Sequence, residues 1–284
     1  MAIITISRGT MSGGEGLANR VAETLGYPCL AREVLVEAAA KLGVPERELR
    51  WSVGYRGTPW ERLTVDRRIY LTALQAGLSE HCVSGNLVYH GNAGHLLLEG
   101  LRNVLKVRLI APMEQRVRAL MRREGLRYSQ ARDFVECSDR DRKQWTKFVY
   151  GLDWSSPELY DLVINLRDIN LETACDIVSA TAKLPAYAVT EEVRKQLVDF
   201  ALDCRVKLAL ADDVRTRNAE FGVVADDGKV EIFAEMAGAG LLPGRAGPNE
   251  EDVLLVAHKV EGVKAATVSF HRHAKSADAQ AVDR

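Results

Sequence analysis

The sequence predicts an α/β fold, a parallel sheet with helices on both faces, followed by a smaller α+β module. Three observations predict it. A short apolar, β-branched run, Ala2-Ile3-Ile4-Thr5-Ile6, leads into a glycine-rich turn and then into a helical pattern, as a buried parallel strand does. From there to Ala182 strand-like and helix-like stretches alternate, which points to a doubly covered sheet. Beyond Lys183-Leu184-Pro185-Ala186, which reads as a linker, the order of elements changes.

The elements follow in chain order. After the glycine turn, Leu17, Val21 and Leu25 fall at i, i+4 and i+8, and Gly26 stops the helix. Arg32 to Leu42 reads as a second helix. Trp60 to Cys82 reads as a long one, with Leu63, Tyr70, Leu71, Leu74 and Leu78 as its apolar stripe. Leu87-Val88-Tyr89 and Val104 to Ile110 are expected strands, separated by a second glycine-containing turn, His90-Gly91-Asn92-Ala93-Gly94. Met113 to Glu124 is an amphipathic helix, with Met113, Val117, Leu120 and Met121 inward and Arg116, Arg118, Arg122 and Arg123 outward. A charged helix over Ser129 to Tyr150, a strand at Leu162-Val163-Ile164 and a helix over Leu171 to Ala182 complete the first domain, 1–184.

The second domain, 190–270, opens with a helix over Thr190 to Cys204, whose first residue is a capping threonine followed by Glu191 and Glu192. Phe221 to Ala225 and Val230 to Phe233 flank Asp226-Asp227-Gly228 and read as a hairpin with Asp-Gly in its turn. A helix over Glu250 to Val260 and a strand over Ala266 to Phe270 close the module, and residues from about His271 read as a disordered tail.

Composition narrows the function classes. A formal charge of −1 over 284 residues, with 47% hydrophobic and 27% charged residues, gives no reason to expect nucleic acid as a partner. No stretch suggests a secretory signal or a membrane span. Five scattered cysteines, Cys29, Cys82, Cys137, Cys175 and Cys204, form no CxxC pair and read as reduced thiols of a cytoplasmic protein. Cys29 and Cys175 are expected in the core. Charge is uneven, however: Met113 to Lys147 carries ten Lys/Arg against six Asp/Glu, either a solvated helical face or a place that handles phosphates.

Ser7-Arg8-Gly9-Thr10-Met11-Ser12-Gly13-Gly14 is the candidate phosphate loop. A loop that leaves a buried strand and enters a helix N-terminus aims several unpaired N–H groups at one point, where the helix dipole favours an anion. Gly9 and Gly14 have the spacing of a Walker A loop, but Glu15 and Gly16 stand where its lysine and magnesium-binding hydroxyl belong. His90 and His95 bracket the second turn and are expected to serve the turn and its packing, with nucleotide contact as the lesser reading. Trp51, Trp60, Trp145 and Trp154 are expected to pack rather than stack a base.

Together these stretches resemble the cytidylate-kinase-like branch of the nucleoside monophosphate kinases. The resemblance is carried by Ile4 to Arg8, Ser12-Gly13-Gly14, Leu25-Gly26-Tyr27, Arg32-Glu33, Leu87 to Gly91, Ala111-Pro112-Met113 through Arg116, Asp139 with Arg142, and Tyr160 to Asn165. It implies a P-loop parallel sheet with ATP at the loop, a monophosphate-binding helical region and an arginine-bearing lid. Arg8, Arg140 and Arg142 would be catalytic. Gly9, Ser12, Gly13, Gly14, Arg32, His90 and Asp139 would bind nucleotide or phosphate. Magnesium would accompany ATP, with no protein ligand identifiable. The sequence departs from the family pattern at Glu15, Gly16, Ala31 and His90. Two functions therefore stand: a phosphotransferase from ATP to a CMP-like or dCMP-like acceptor, or a catalytically degenerate nucleotide sensor.

Asp226 to Val230 and Val260 to Lys264, each with its preceding helix, resemble a BON domain over about Glu192 to Phe270. That resemblance implies a phospholipid, small ligand or protein as the module's partner.

Overall fold

The computed structural model describes residues 2–31, 64–91, 93–236 and 248–272. The helix expected over Arg32 to Leu42, the start of the long helix at Trp60, Trp51, Asn92 and His273 lie outside them. Two compact units divide the chain, residues 1–60 with 77–197, and residues 61–76 with 198–284.

The first unit is built on five parallel strands: β1 (Ile3–Arg8), β2 (Cys29–Ala31), β3 (Leu87–His90), β4 (Val104–Ile110) and β5 (Leu162–Asn165), in the order β2-β3-β1-β4-β5. β1 lies at the centre, paired with β3 on one side and β4 on the other. Its run of β-branched residues is buried because a parallel sheet is covered on both faces. The helices are α1 (Gly14–Leu25), α2 (Thr64–Cys82, of which residues 77–82 belong to this unit and 64–76 to the second), α3 (Gly94–Leu97), α4 (Met113–Glu124), α5 (Tyr128–Tyr150) and α6 (Leu171–Ala182).

Strand alternation gives the sheet two unlike faces. On one, Ala2, Ile4, Ile6, Val88, Leu105, Val107, Leu109 and Ile164 pack against Leu17 and Val21 of α1 and Cys175 and Val178 of α6. Cys29 packs at the edge of the same core. The other face carries Thr5 and Ser7 from β1 with Lys106 and Arg108 from β4 directly beside them in register. A smaller core, Val117, Leu120, Ala131 and Val135, joins α4 to α5, and Met11 of the loop packs against it.

The second unit contains α7 (Glu191–Asp212, from Val198 onward), β6 (Glu220–Asp226), β7 (Lys229–Met236), α8 (Glu250–Ala257) and β8 (Ala265–Arg272). The expected capping threonine holds: Thr190 Oγ1 accepts from the Val193 amide at 3.2 Å. The helix runs eight residues past Cys204, because Val206 and Leu210 continue its buried stripe under the sheet. β6 and β7 form the expected antiparallel hairpin, and Asp227 and Gly228 both have positive φ, 48° and 80°, as a tight primed turn requires. β8 returns parallel to β7 after α8 and extends through Arg272, where His271 and Arg272 pair with Glu235 and Met236, so these two residues are strand and not tail; the rest of the expected tail lies outside the described residues. No helix among the described residues is long and apolar enough to cross a membrane.

Candidate active site

The loop from Ser7 to Gly14 is shaped by three local features. Met11 adopts φ 60°, uncommon for a residue with a side chain, and its burial against α4 and α5 offsets the strain. Ser12 turns inward: its hydroxyl donates to the Gly9 carbonyl at 3.0 Å and lies 3.4 Å from the Leu109 carbonyl. Gly13 caps α1 in the left-handed region, φ 84°, with no side-chain cap. The first-turn amides of Gly14, Glu15 and Gly16 therefore stay open toward the loop. Glu15 is exposed, pointed away into solvent.

Arginines surround this loop. The Cβ, Cγ and Cδ atoms of Arg8 lie against Gly14 so closely that any side chain there would collide with them. Arg116 packs over Gly9, its Nη2 3.0 Å from where a Cβ would stand. It donates from Nε to the Thr10 carbonyl at 2.7 Å and from Nη2 to Asp139 Oδ2 at 2.6 Å. The Asp139 Oδ1 atom accepts from the Thr10 amide at 3.2 Å and faces Arg142 Nη1 at 3.6 Å. Arg142 Nη1 also donates to the Arg8 carbonyl at 3.0 Å. One carboxylate thus holds two guanidinium groups and the loop backbone together, a charge-assisted arrangement stronger than neutral hydrogen bonds.

Arg116 faces inward, against the outward orientation expected from the helix pattern: only 8% of the residue is exposed. Its place in the sequence, three after Met113 and four before Leu120, puts it on the apolar stripe, and its charge is met by Asp139 from α5. Arg118, Arg122 and Arg123 do not share this burial.

A second polar group lies on the sheet face beneath Ser7. His95 Nδ1 is 3.1 Å from Ser7 Oγ, and the His95 ring packs 4.6 Å from that of Tyr160. The Tyr160 hydroxyl donates to the Trp154 carbonyl at 2.8 Å. Burial first, then the charges of Lys106 and Arg108, pull the His95 pKa down to about 4, so its ring is neutral at pH 7. Arg108 Nη1 donates to the same Trp154 carbonyl at 3.0 Å, and its guanidinium lies over the Trp154 indole.

Of the residues singled out from the sequence, Arg8, Gly9, Ser12, Gly13, Gly14, Asp139 and Arg142 come together at the loop. Arg140 is exposed on α5, and His90 is nearly buried at the end of β3, in register with Ile6 and Ala31. Arg32 lies outside the described residues. Sequence reasoning missed Arg108 and the Ser7–His95 pair; Trp154 packs as expected, but its two arginine partners were not foreseen. The i, i+2 spacing of Lys106 and Arg108 within a strand was a signal, since it sends both cations to one face.

Magnesium finds no dedicated ligand set: no cluster of three metal-binding side chains occurs among the described residues, and the Asp139 carboxylate is engaged by Arg116 and Thr10.

A family model described as "Cytidylate kinase-like family" matches residues 3–168. The cytidylate kinase of Ignicoccus hospitalis is 28% identical over 201 residues, 70% of this chain and 100% of that protein. The cytidylate kinase of Methanothermobacter thermautotrophicus is 30% identical over 176 residues, 61% of this chain and 99% of that protein. Among solved structures, an uncharacterized protein from Eubacterium ventriosum superposes with a TM-score of 0.51 at 19% identity, covering 64% of this chain and 98% of the other. At that identity the likeness is one of fold.

Proposed function

The chain belongs to the cytidylate kinase-like family, and from that premise we propose that it transfers the γ-phosphoryl group of ATP to a nucleoside monophosphate, of which CMP and dCMP are the first candidates. The observation that carries this reading is the side chain of Arg8 lying along Gly14 at the mouth of α1. It brings a cation to the loop whose own sequence offers Glu15 at the lysine position.

Phosphoryl transfer asks for positioning and charge stabilisation more than covalent chemistry. In the proposed reaction the open amides of Gly14, Glu15 and Gly16 hold donor phosphate oxygens. An acceptor phosphate oxygen attacks the γ-phosphorus in line and ADP leaves. Arg8 and Arg142 neutralise charge on the transferring group, and Asp139 with Arg116 keeps the loop in the shape that lets them do so. Arg32 and His90 are proposed acceptor-side contacts and Arg140 a lid contact. Release of ADP with CMP, dCMP or UMP as acceptor tests the proposal. No turnover above background with any of them, at high enzyme concentration with magnesium, would count decisively against it.

A second reading, a catalytically degenerate nucleotide sensor, is favoured by the exposed Glu15 and the absence of a hydroxyl at Gly16. It expects nucleotide binding by calorimetry without turnover. In that reading the C-terminal module transmits the signal. Its order of helix, two strands, helix and strand supports a BON-like module with a phospholipid, small ligand or protein as partner.

A further inference from the structure

We infer that Trp154 is a positioning residue that holds the guanidinium of Arg142 at the glycine loop. The inference rests on the proposed phosphoryl-transfer reading, and it adds a residue that the loop motif does not contain. The Trp154 indole is buried in the turn after α5, and two guanidinium groups lie against it. Arg108 Cζ is 4.6 Å from the ring centroid and Arg142 Cζ 5.6 Å. Both distances are within reach of attraction between a cation and an aromatic face. One of these arginines is fixed in the sheet, since β4 places Arg108 beside Ser7. The other stands on α5 and reaches the Arg8 carbonyl. The indole therefore connects the sheet to the arginine that touches the loop.

The backbone of Trp154 is held independently of its ring. Its carbonyl accepts from Arg108 Nη1 and from Tyr160 Oη, and the Tyr160 ring packs against His95, which in turn meets Ser7. Asp153, next to it, pairs with Lys143 of α5 at 2.8 Å and caps Ser155 at 2.9 Å. Changing the side chain at position 154 thus alters the surface that Arg142 meets while leaving the turn anchored.

An ordinary packing role predicts something different from a positioning role. A buried filler is also replaced better by phenylalanine than by leucine, because phenylalanine is nearer in volume, but its loss lowers the melt and turnover together. An aromatic face that orients a guanidinium predicts in addition that leucine lowers kcat beyond what the melt accounts for and moves the Arg142 resonance. The experiment compares Trp154→Leu, Trp154→Phe and Arg142→Met in the full-length chain, measuring kcat and KM for ATP and for CMP, with thermal melts as a folding control. Arg142→Met should lower kcat by about 10²- to 10³-fold, as loss of a transition-state donor does. Trp154→Leu should lower kcat by about 3- to 30-fold with KM for ATP little changed, and Trp154→Phe should restore most of it. Equal losses in the Leu and Phe variants, or none in either, would overturn the inference while leaving the reading of the site intact. Near-normal turnover in Arg142→Met would instead sink the reading of the site. The nitrogen-15 resonance of Arg142 Nε decides the positioning role without turnover: it should move in Trp154→Leu and stay near its place in Trp154→Phe. An unmoved resonance in both refutes it.

Discussion

At the scale of single residues, Gly14 is the position with the least freedom. The side chain of Arg8 fills the space that any Cβ at residue 14 would need. A methyl group there has to displace a cation from the loop, and the helix itself has no objection to alanine. Gly14→Ala is therefore expected to lower the melting temperature, because the Arg8 Cβ is fixed to β1 and cannot swing aside, and to weaken ATP binding by at least about tenfold, roughly one charge-assisted contact. Calorimetry beside a thermal melt checks this; unchanged affinity would mean that Arg8 takes no part in holding phosphate. Gly13 is constrained differently, because its φ of 84° places it in the left-handed region that glycine occupies without strain.

At the scale of elements, the pair α4 and α5 does more than cover a flank. Its small apolar core takes in Met11, and its two facing charges, Arg116 and Asp139, both bond the backbone of Thr10. The loop is thereby fastened to the helices that carry its arginines. Arg116→Met keeps the apolar stem but strands Asp139 and removes the donor to the Thr10 carbonyl. A loss of about 1–3 kcal/mol is expected, read as a lower urea midpoint with unchanged slope. Arg116→Lys should recover only part of it, since an ammonium cannot serve Thr10 and Asp139 with the same planar fork. Full recovery by lysine would show that charge alone is what the loop needs. In the second unit the corresponding tie is between α7 and β6, where Asp203 Oδ1 accepts from the Ala225 amide at 2.5 Å.

At the scale of the whole molecule, two buried titratable groups give stability opposite slopes with pH. His95 titrates at about 4 instead of its ordinary 6.5, because burial and then the Lys106 and Arg108 charges disfavour its cation. The stability it contributes is present above pH 6.5 and is lost as pH falls toward 4, roughly 3 kcal/mol if the group is not rescued by rearrangement. Asp203 runs the other way. Burial, reinforced by Asp199 and opposed by Lys207 and the Ala225 amide, raises its pKa from 3.8 to about 7. Its contribution is complete below pH 4 and is lost as pH rises through 7. Melts between pH 4 and 8 should show His95→Gln flattening the acid side and Asp203→Asn the neutral side. A single variant that removed both slopes would contradict this assignment of one group to each unit.

The sequence by itself determined most of the described elements and their order, but not the three-residue edge strand β2 or the four-residue helix α3, which are too short to carry a period. The strands from Val104 to Ile110 and the helices from Met113 to Glu124 and Leu171 to Ala182 have the boundaries that periodicity predicts, because apolar spacing is a local signal and each stripe faces one core. The glycine loop was legible for the same reason, lying between a buried strand and a helix start. The tertiary structure alone decided which charges meet it. Arg116 looked like part of a solvated face until Asp139, 23 residues later, was folded over it. Ser7 and His95 are separated by 88 positions and become partners only through the pairing of β1 and β3 that brings the second glycine turn beside the first. Trp154 gathers Arg108 and Arg142 from a strand and a helix that are far from each other in the chain. A charged side chain carries no period that reveals its partner, since the energy of the pair depends on distance and burial that exist only after folding.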